Sequence, residues 1–212
     1  MKVLALDTTG DFGSIALMED AALVEEVAIH SSDGFAHILF QEIEALLARH
    51  HLRITDVDAF ASASGPGSFT GVRIGLTAVK GLSEATGKKV VAVSNLEALA
   101  WFGTRPLRAP VMDARRGEVY GAVYSSTLQI VCGEVVTKLP LWLESLPAGD
   151  LEIVTRGLEL ANSRPVVIAP RELARAIGSI AAERISQGLA STPSEIDANY
   201  VRRSDAELFW KD

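Results

Sequence analysis

Cysteine is nearly absent. Cys132 is the single one in 212 residues, which excludes an internal disulfide and a cysteine-rich metal site. Its setting, QIVCGEVV, reads as a strand, and with no partnered histidine the thiol is expected to be buried or inert. No 18-residue stretch without charge is present to span a bilayer, and the opening MKVLALDTT meets Asp7 before any long apolar run forms. The reading is therefore of a chain without a signal peptide or membrane span, expected in the cytosol. Clustered positive charge is also missing. The formal charge is -7, with seven Lys and Arg against thirteen Asp and Glu in residues 1–103, and thirteen against fourteen in residues 104–212. Uniform electrostatic binding to RNA or DNA is disfavoured, and the acidic first half suits a basic protein surface better.

Familiar chemical motifs are missing too. The four histidines, His30, His37, His50 and His51, form no HxxH or HExxH pair on a helix face. His50 and His51 end a helical pattern, where a helix C-terminus favours them electrostatically without any catalytic role. Ser64 and Ser68 stand in no GxSxG elbow. The glycine-rich stretch is followed by no Gly-Lys-Ser/Thr and contains no GxGxxG string. No catalytic residue and no metal ligand is assigned.

What is present is ASASGPGSFTGVRIGLTAVK, residues 61–80. Gly65-Pro66-Gly67 permits a tight turn, Ser68 or Thr70 caps a helix, and Val72, Leu76 and Val79 fall on one apolar face. A strand, turn and helix in this order suit an anion or the backbone of another protein. Asp7 ends the first strand beside Thr8-Thr9-Gly10. Two readings stand for it: organising a magnesium-bound phosphate, or accepting hydrogen bonds from its own turn. Arg73 is near enough to the helix start to pair with Asp7, a partner carboxylate or a nucleotide, so Asp7, Gly65, Gly67 and Arg73 form a weak nucleotide candidate.

Around these motifs the punctuation predicts strands over 3–6, 14–18, 23–29, 57–63, 89–93, 107–113, 117–125, 129–136, 151–155 and 166–168. Helical periodicity covers 35–50, 71–85, 95–101 and 171–188. Residues 139–150, with Pro140 and Pro147, read as mixed, and 190–212 as an irregular run whose aromatics Tyr200, Phe209 and Trp210 pack back on the body. Asp113-Ala114-Arg115-Arg116-Gly117-Glu118 reads as a hairpin tip that either grips an acidic group or is simply solvated. Phe35, Leu39, Ile43 and Leu46 line one face of the 35–50 helix, mostly core, with Phe40 and Leu47 widening the arc. A break at Gly103–Pro106 divides the chain into an expected N-terminal α/β lobe, 1–103, and C-terminal α/β lobe, 104–212.

VLALDTTGDFGSIAL, SASGPGSFTGVRIGLTAVKGL, VSNLEALA and MDARRGEVYGAVY together resemble the TsaB (YeaZ) family, over residues 2 to about 125. The segment Asn199-Tyr200-Val201-Arg202 resembles the family's closing Pro-x-Tyr-Leu-Arg, with Asn and Val substituted. The resemblance implies an ASKHA fold, the actin-like or sugar-kinase-like pair of related α/β lobes with mixed sheets. It implies a noncatalytic role in placing N6-threonylcarbamoyladenosine at position 37 of tRNA, in a heterodimer with the catalytic homologue TsaD and a larger complex with the ATPase TsaE. ATP and magnesium would then be used by the assembled complex, tRNA would be met through it, and this chain would need no cofactor of its own. TsaD holds its metal with a helical histidine pair, whereas here His37 is followed one turn later by Gln41. The family's partner surface maps onto 35–50 and 70–85, through Phe35, Leu39, Ile43, Leu46, Val72, Leu76 and Val79, and the same surface would close a homodimer. The alternative is an autonomous ATPase or small-molecule kinase of the same fold, using Asp7 and the glycine loop around Mg-ATP.

Overall fold

The computed structural model describes residues 1–20, 22–160 and 163–202. One unit comprises Met1–Ala98 and Arg171–Ala198. Its sheet runs in the order β3-β2-β1-β4-β5, from β1 (Lys2–Asp7), β2 (Gly13–Glu19), β3 (Ala22–Ile29), β4 (Ala59–Ala63) and β5 (Lys89–Val93). The β1–β2 and β2–β3 pairs are antiparallel, and β1–β4 and β4–β5 are parallel. Val3 to Leu6 are all fully buried, because side chains alternate between two covered faces. Leu4 and Leu6 join the core beneath α1 (Leu39–Arg49) and α2 (Phe69–Thr86), with a 3-10 turn at Phe35–His37 leading into α1. A short helix, α3 (Asn95–Ala100), follows β5. Two later helices are α4 (Leu139–Ser145) and α5 (Ala174–Ser186). The latter covers the other face of this sheet, where a Cβ on Gly178 would come within 2.5 Å of Met18 Cγ and 3.3 Å of Ala5 Cβ.

The sheet also starts α5. Ser14 Oγ accepts the Ala174 N–H at 3.0 Å, and Glu26 Oε1 accepts that of Arg175 at 2.9 Å. These strand side chains supply the capping that the helix's own flank lacks. Arg184 then donates to both oxygens of Glu97, at 2.6 and 2.7 Å, and to the Ala92 carbonyl. Residues 171–198 thus belong with the first unit, not with the C-terminal lobe expected from the break near residue 103. The chain leaves the first sheet, builds the second, and returns.

The second unit comprises Leu99–Pro170 with the described residues from Asn199. Its sheet has the order β10-β9-β6-β7-β8, from β6 (Leu107–Asp113), β7 (Glu118–Ser125), β8 (Ile130–Lys138), β9 (Leu151–Thr155) and β10 (Val166–Ile168). The β6–β7 and β7–β8 pairs are antiparallel, and β6–β9 and β9–β10 are parallel. Each sheet therefore repeats one topology: two antiparallel hairpins followed by two parallel additions.

Residues 139–150, mixed in their sequence pattern, contain α4, with a proline in its first turn. Its Trp142 is 2% exposed and lies against Gly121, where any Cβ would come within 2.1 Å of Nε1. Cys132 is exposed rather than buried, because β8 is the edge strand of its sheet. Asn199 donates to Glu134 at 2.6 Å, and Arg202 pairs with Glu118 beside the Tyr120 ring. Tyr200 keeps 47% of its surface exposed, and Phe209 and Trp210 lie outside the described residues. Among the described residues no helix is long and apolar enough to cross a membrane.

Candidate docking groove

The turn after β1 is built from buried polar groups. Asp7 Oδ1 accepts the Thr9 N–H at 2.9 Å and the Thr9 hydroxyl at 2.6 Å. Thr9 Oγ1 in turn accepts from Asn95 Nδ2 at 2.7 Å, and Asn95 exchanges two hydrogen bonds with the Gly65 backbone. The Ser68 N–H reaches the Thr9 carbonyl at 2.8 Å, and Thr8 Oγ1 donates to the Gly71 carbonyl at 2.7 Å. Asp7, Thr8, Thr9 and Asn95 are each at most 3% exposed, so these bonds stitch the ends of β1, β4 and β5 together in a nearly dry setting. Asp7 thus accepts hydrogen bonds from its own turn.

The glycines explain themselves by the same contact. A Cβ on Gly67 would meet Thr9 at 2.8 Å, and one on Gly71 would meet the Thr8 carbonyl oxygen at 2.0 Å. One on Gly75 would meet the Ser62 and Thr8 hydroxyls at 2.6 and 2.7 Å. Within α2 the four-residue spacing puts Gly71 and Gly75 on one side of the helix, pressed against the Thr8 backbone and the Ser62 and Thr8 hydroxyls. Arg73 is two residues from both Gly71 and Gly75, so it projects from the opposite side. The sequence-proposed nucleotide set is therefore divided. Asp7, Gly65 and Gly67 meet in one network, while Arg73 stands apart with its guanidinium 3.8 Å from the centre of the Phe69 ring.

On that opposite side lies a groove of about 460 Å³ between the 3-10 turn with α1 and the first half of α2. Ala36, Leu39 and Phe40 form one wall; Phe69, Arg73, Ile74 and Thr77 form the other. Phe40 is 56% and Phe69 42% exposed, a large apolar area to leave in water on adjacent helices. The seven side chains expected to touch a partner are placed differently. Phe35, Leu39, Ile43, Leu46, Val72, Leu76 and Val79 are 0–5% exposed and belong to the core under the two helices. The elements carrying them do line the groove, but the outward residues are Ala36, Phe40, Phe69, Arg73 and Thr77. The dominant apolar stripe marked the core. Phe69, at the helix start, and Phe40, outside the main stripe, were the signals of a second face.

The remaining candidates sit elsewhere. Asp113–Glu118 is the β6–β7 connection, with Arg115, Arg116 and Gly117 all at positive φ and Asp113 Oδ1 accepting the Arg115 N–H. His50 Nε2 lies 2.7 Å from Glu25 Oε2, and Arg49 also pairs with Glu25. Bonds from Arg49 and then His50 hold the Glu25 carboxyl below its ordinary range. His30 stacks on Phe12, and His37 and Gln41 are exposed. Among the described residues no group of three or more His, Cys, Asp or Glu is placed to hold a metal ion.

Residues 28–193 match the family described as TsaD, tRNA N6-adenosine threonylcarbamoyltransferase. The tRNA threonylcarbamoyladenosine biosynthesis protein TsaB of Bacillus subtilis is 31% identical over 172 residues, covering 79% of this chain and 75% of that protein. Its namesake in Escherichia coli is 36% identical over 130 residues, or 58% of this chain and 55% of that protein, so that match spans about half of the relative. The solved structure of YeaZ from Pseudomonas aeruginosa superposes with a TM-score of 0.78 at 27% identity, covering 94% of this chain and 99% of that one. The activator of 2-hydroxyisocaproyl-CoA dehydratase from Clostridium difficile, at 8% identity, TM-score 0.54 and coverage of 94% and 99%, shares the two-lobed α/β ASKHA fold alone. By identity and coverage together, the chain belongs to the TsaB (YeaZ) family, within the wider TsaD-type domain family.

Proposed function

We propose that this chain is a noncatalytic docking subunit in the biosynthesis of N6-threonylcarbamoyladenosine at adenosine 37 of tRNA. It acts by pairing with a TsaD homologue and joining a TsaE homologue in a larger assembly. The process is the one for which its TsaB relatives are named. The observation that carries the docking role is the apolar groove flanked by the exposed Phe40 and Phe69, the kind of surface on which the apolar face of an amphipathic helix is laid. A polar network occupies the Asp7 turn instead of presenting its carboxylate to solvent, which fits a scaffold better than a phosphoryl-transfer centre.

ATP, magnesium and tRNA are in this reading handled by the assembled complex. Mixing the purified chain with the TsaD homologue of the same organism should give one heterodimer peak on gel filtration, lost with Phe40→Asp. Separate elution at low salt refutes the pairing. Tight Mg-ATP binding with turnover by the lone chain, read by calorimetry and phosphate release, would instead establish an autonomous ATPase.

A further inference from the structure

We propose that the β6–β7 turn of the second unit, with residues 199–202 beside it, is a contact site for RNA: its cations take backbone phosphates and Tyr200 takes a base. This rests on the tRNA reading above and gives this chain a contact of its own with the nucleic acid. Arg115, Arg116 and Gly117 follow one another in the left-handed region, at φ 63°, 57° and 73°. Glycine and asparagine tolerate that backbone, whereas a long side chain on a Cβ is disfavoured there. Asp113 Oδ1 accepts the Arg115 N–H at 2.8 Å, and the Arg115 carbonyl accepts the Glu118 N–H at 3.0 Å, so an aspartate and the backbone close the turn. Both arginines are exposed. Two of them at positions that suit glycine point to a use for their charge.

Neighbouring charges add to theirs. Lys138 is exposed and lies opposite Glu118 in the β7–β8 pairing. Arg202 pairs with Glu118, its guanidinium 5.9 Å from the centre of the Tyr120 ring. This corner of the sheet thus gathers Arg115, Arg116, Lys138 and Arg202 against Asp113 and Glu118. Glu134, further along β8, accepts from Tyr124 and Asn199 at 2.9 and 2.6 Å. Residues 199–202 are therefore anchored at both ends, and between the anchors Tyr200 keeps 47% of its surface exposed. Cations beside a presented ring suit phosphates and a stacked base. From residue 99 to 129 no large apolar side chain is exposed, so the turn lacks the apolar centre a protein partner needs. The wider field agrees. Lys and Arg number ten against seventeen Asp and Glu in 1–98 and 171–198, but eight against seven in 99–170 and 199–202. A polyanion repelled by the first unit is admitted at the second, through few contacts.

The test titrates an unmodified tRNA transcript with the chain assembled on the TsaD homologue, and in parallel with the lone chain at low salt, reading fluorescence anisotropy across a salt series. Arg115→Asn with Lys138→Gln should weaken binding about tenfold and flatten the slope of log affinity against log salt by about 1–2. Tyr200→Leu should weaken it about tenfold with the slope unchanged. Arg53→Ala with Lys89→Ala, which removes two exposed cations of the first unit, should change neither. Arg115→Asn alone should raise the urea midpoint while it weakens binding, because asparagine suits the left-handed turn. Wild-type affinity and slope in the Arg115→Asn, Lys138→Gln variant, with the heterodimer intact on gel filtration, would overturn the RNA contact and leave the docking reading standing. An equal loss from the first-unit pair would overturn it too. So would a variant that keeps tRNA but loses the TsaE homologue, which makes the turn a site for an acidic protein. A heterodimer that fails to form refutes the pairing instead, and the lone-chain titration then decides the RNA contact.

Discussion

Replacing Gly71 with alanine tests the contact that positions α2 and the groove it lines. The added Cβ would lie 2.0 Å from the Thr8 carbonyl oxygen, 3.0 Å from its carbon and 3.2 Å from Thr9 Cα. All three are backbone atoms of a turn pinned by Asp7 and Asn95, so no side chain can swing aside. Relief requires α2 to move by roughly an ångström, and overpacking of this kind costs about 1–3 kcal/mol, often more against backbone. The same shift stretches the bond from Thr8 Oγ1 to the Gly71 carbonyl, worth about another 1 kcal/mol. Against this stands a helix-propensity gain of about 1 kcal/mol for Gly→Ala. The net expectation is about 1–3 kcal/mol of destabilisation. Gly81→Ala is the internal control. It lies in the same helix, a Cβ there meets nothing within 4 Å, and only the propensity gain of about 0.5–1 kcal/mol applies. Urea denaturation followed by far-ultraviolet circular dichroism should move the two midpoints in opposite directions. Gly71→Ala as stable as wild type would refute the argument that α2 rests on the turn's backbone.

Two further substitutions probe how the first unit is held. Arg184→Met removes the guanidinium from Glu97, which is only 7% exposed, and from the Ala92 carbonyl; a loss of about 2–3 kcal/mol is expected, partly recovered by adding Glu97→Gln, as read from denaturation midpoints. Glu26→Gln tests a pH dependence. Burial, with Glu172 adding to it, raises the Glu26 carboxyl above its ordinary value of 4.5. The folded chain therefore holds that proton more tightly than the unfolded one, and the contribution of Glu26 to stability falls as pH rises through the folded value. The substituted amide keeps the acceptor for Arg175 without the charge, so the midpoint of Glu26→Gln relative to wild type should increase between about pH 4 and pH 7. A pH-independent difference would contradict the burial.

Much of the fold was legible because glycine, proline and acidic turns bracket the strands. Lys89–Val93, Leu107–Asp113, Leu151–Thr155 and Val166–Ile168 appear with the bounds their punctuation implies. Pairing was less accessible. The apolar run of 171–188 announces a buried helix but not which sheet buries it, and that depends on Gly178 fitting over Met18 and on caps from Ser14 and Glu26. Helix α4 was obscured by Pro140, which a first turn accepts because its missing N–H has no partner to lose. Cys132 was rightly placed in a strand, yet its exposure follows from an edge position that only sheet order reveals. For the groove, the strongest periodic signal pointed inward. Hydrophobic periodicity finds the side of a helix that burial needs most, and the exposed Phe40 and Phe69 lie outside that stripe.

The glycine-rich stretch shows how one local signature supports two incompatible expectations. A loop that lets backbone approach backbone is needed to cradle a phosphate, and it is equally needed to lay a helix flush on a neighbouring turn. What separates them is where the amide and carbonyl groups go. Here the Gly65 N–H goes to Asn95, the Ser68 N–H to Thr9 and the Gly71 N–H to Ser68 Oγ, so these three donors are engaged by the protein itself. The helix is thereby fixed through backbone contacts on its inner side, and side-chain repacking there has little leverage over its position. Its outer side, with Phe69, Arg73 and Thr77, is held ready in place without ordering cost at the moment of association. That is the property the proposed docking role requires of this face.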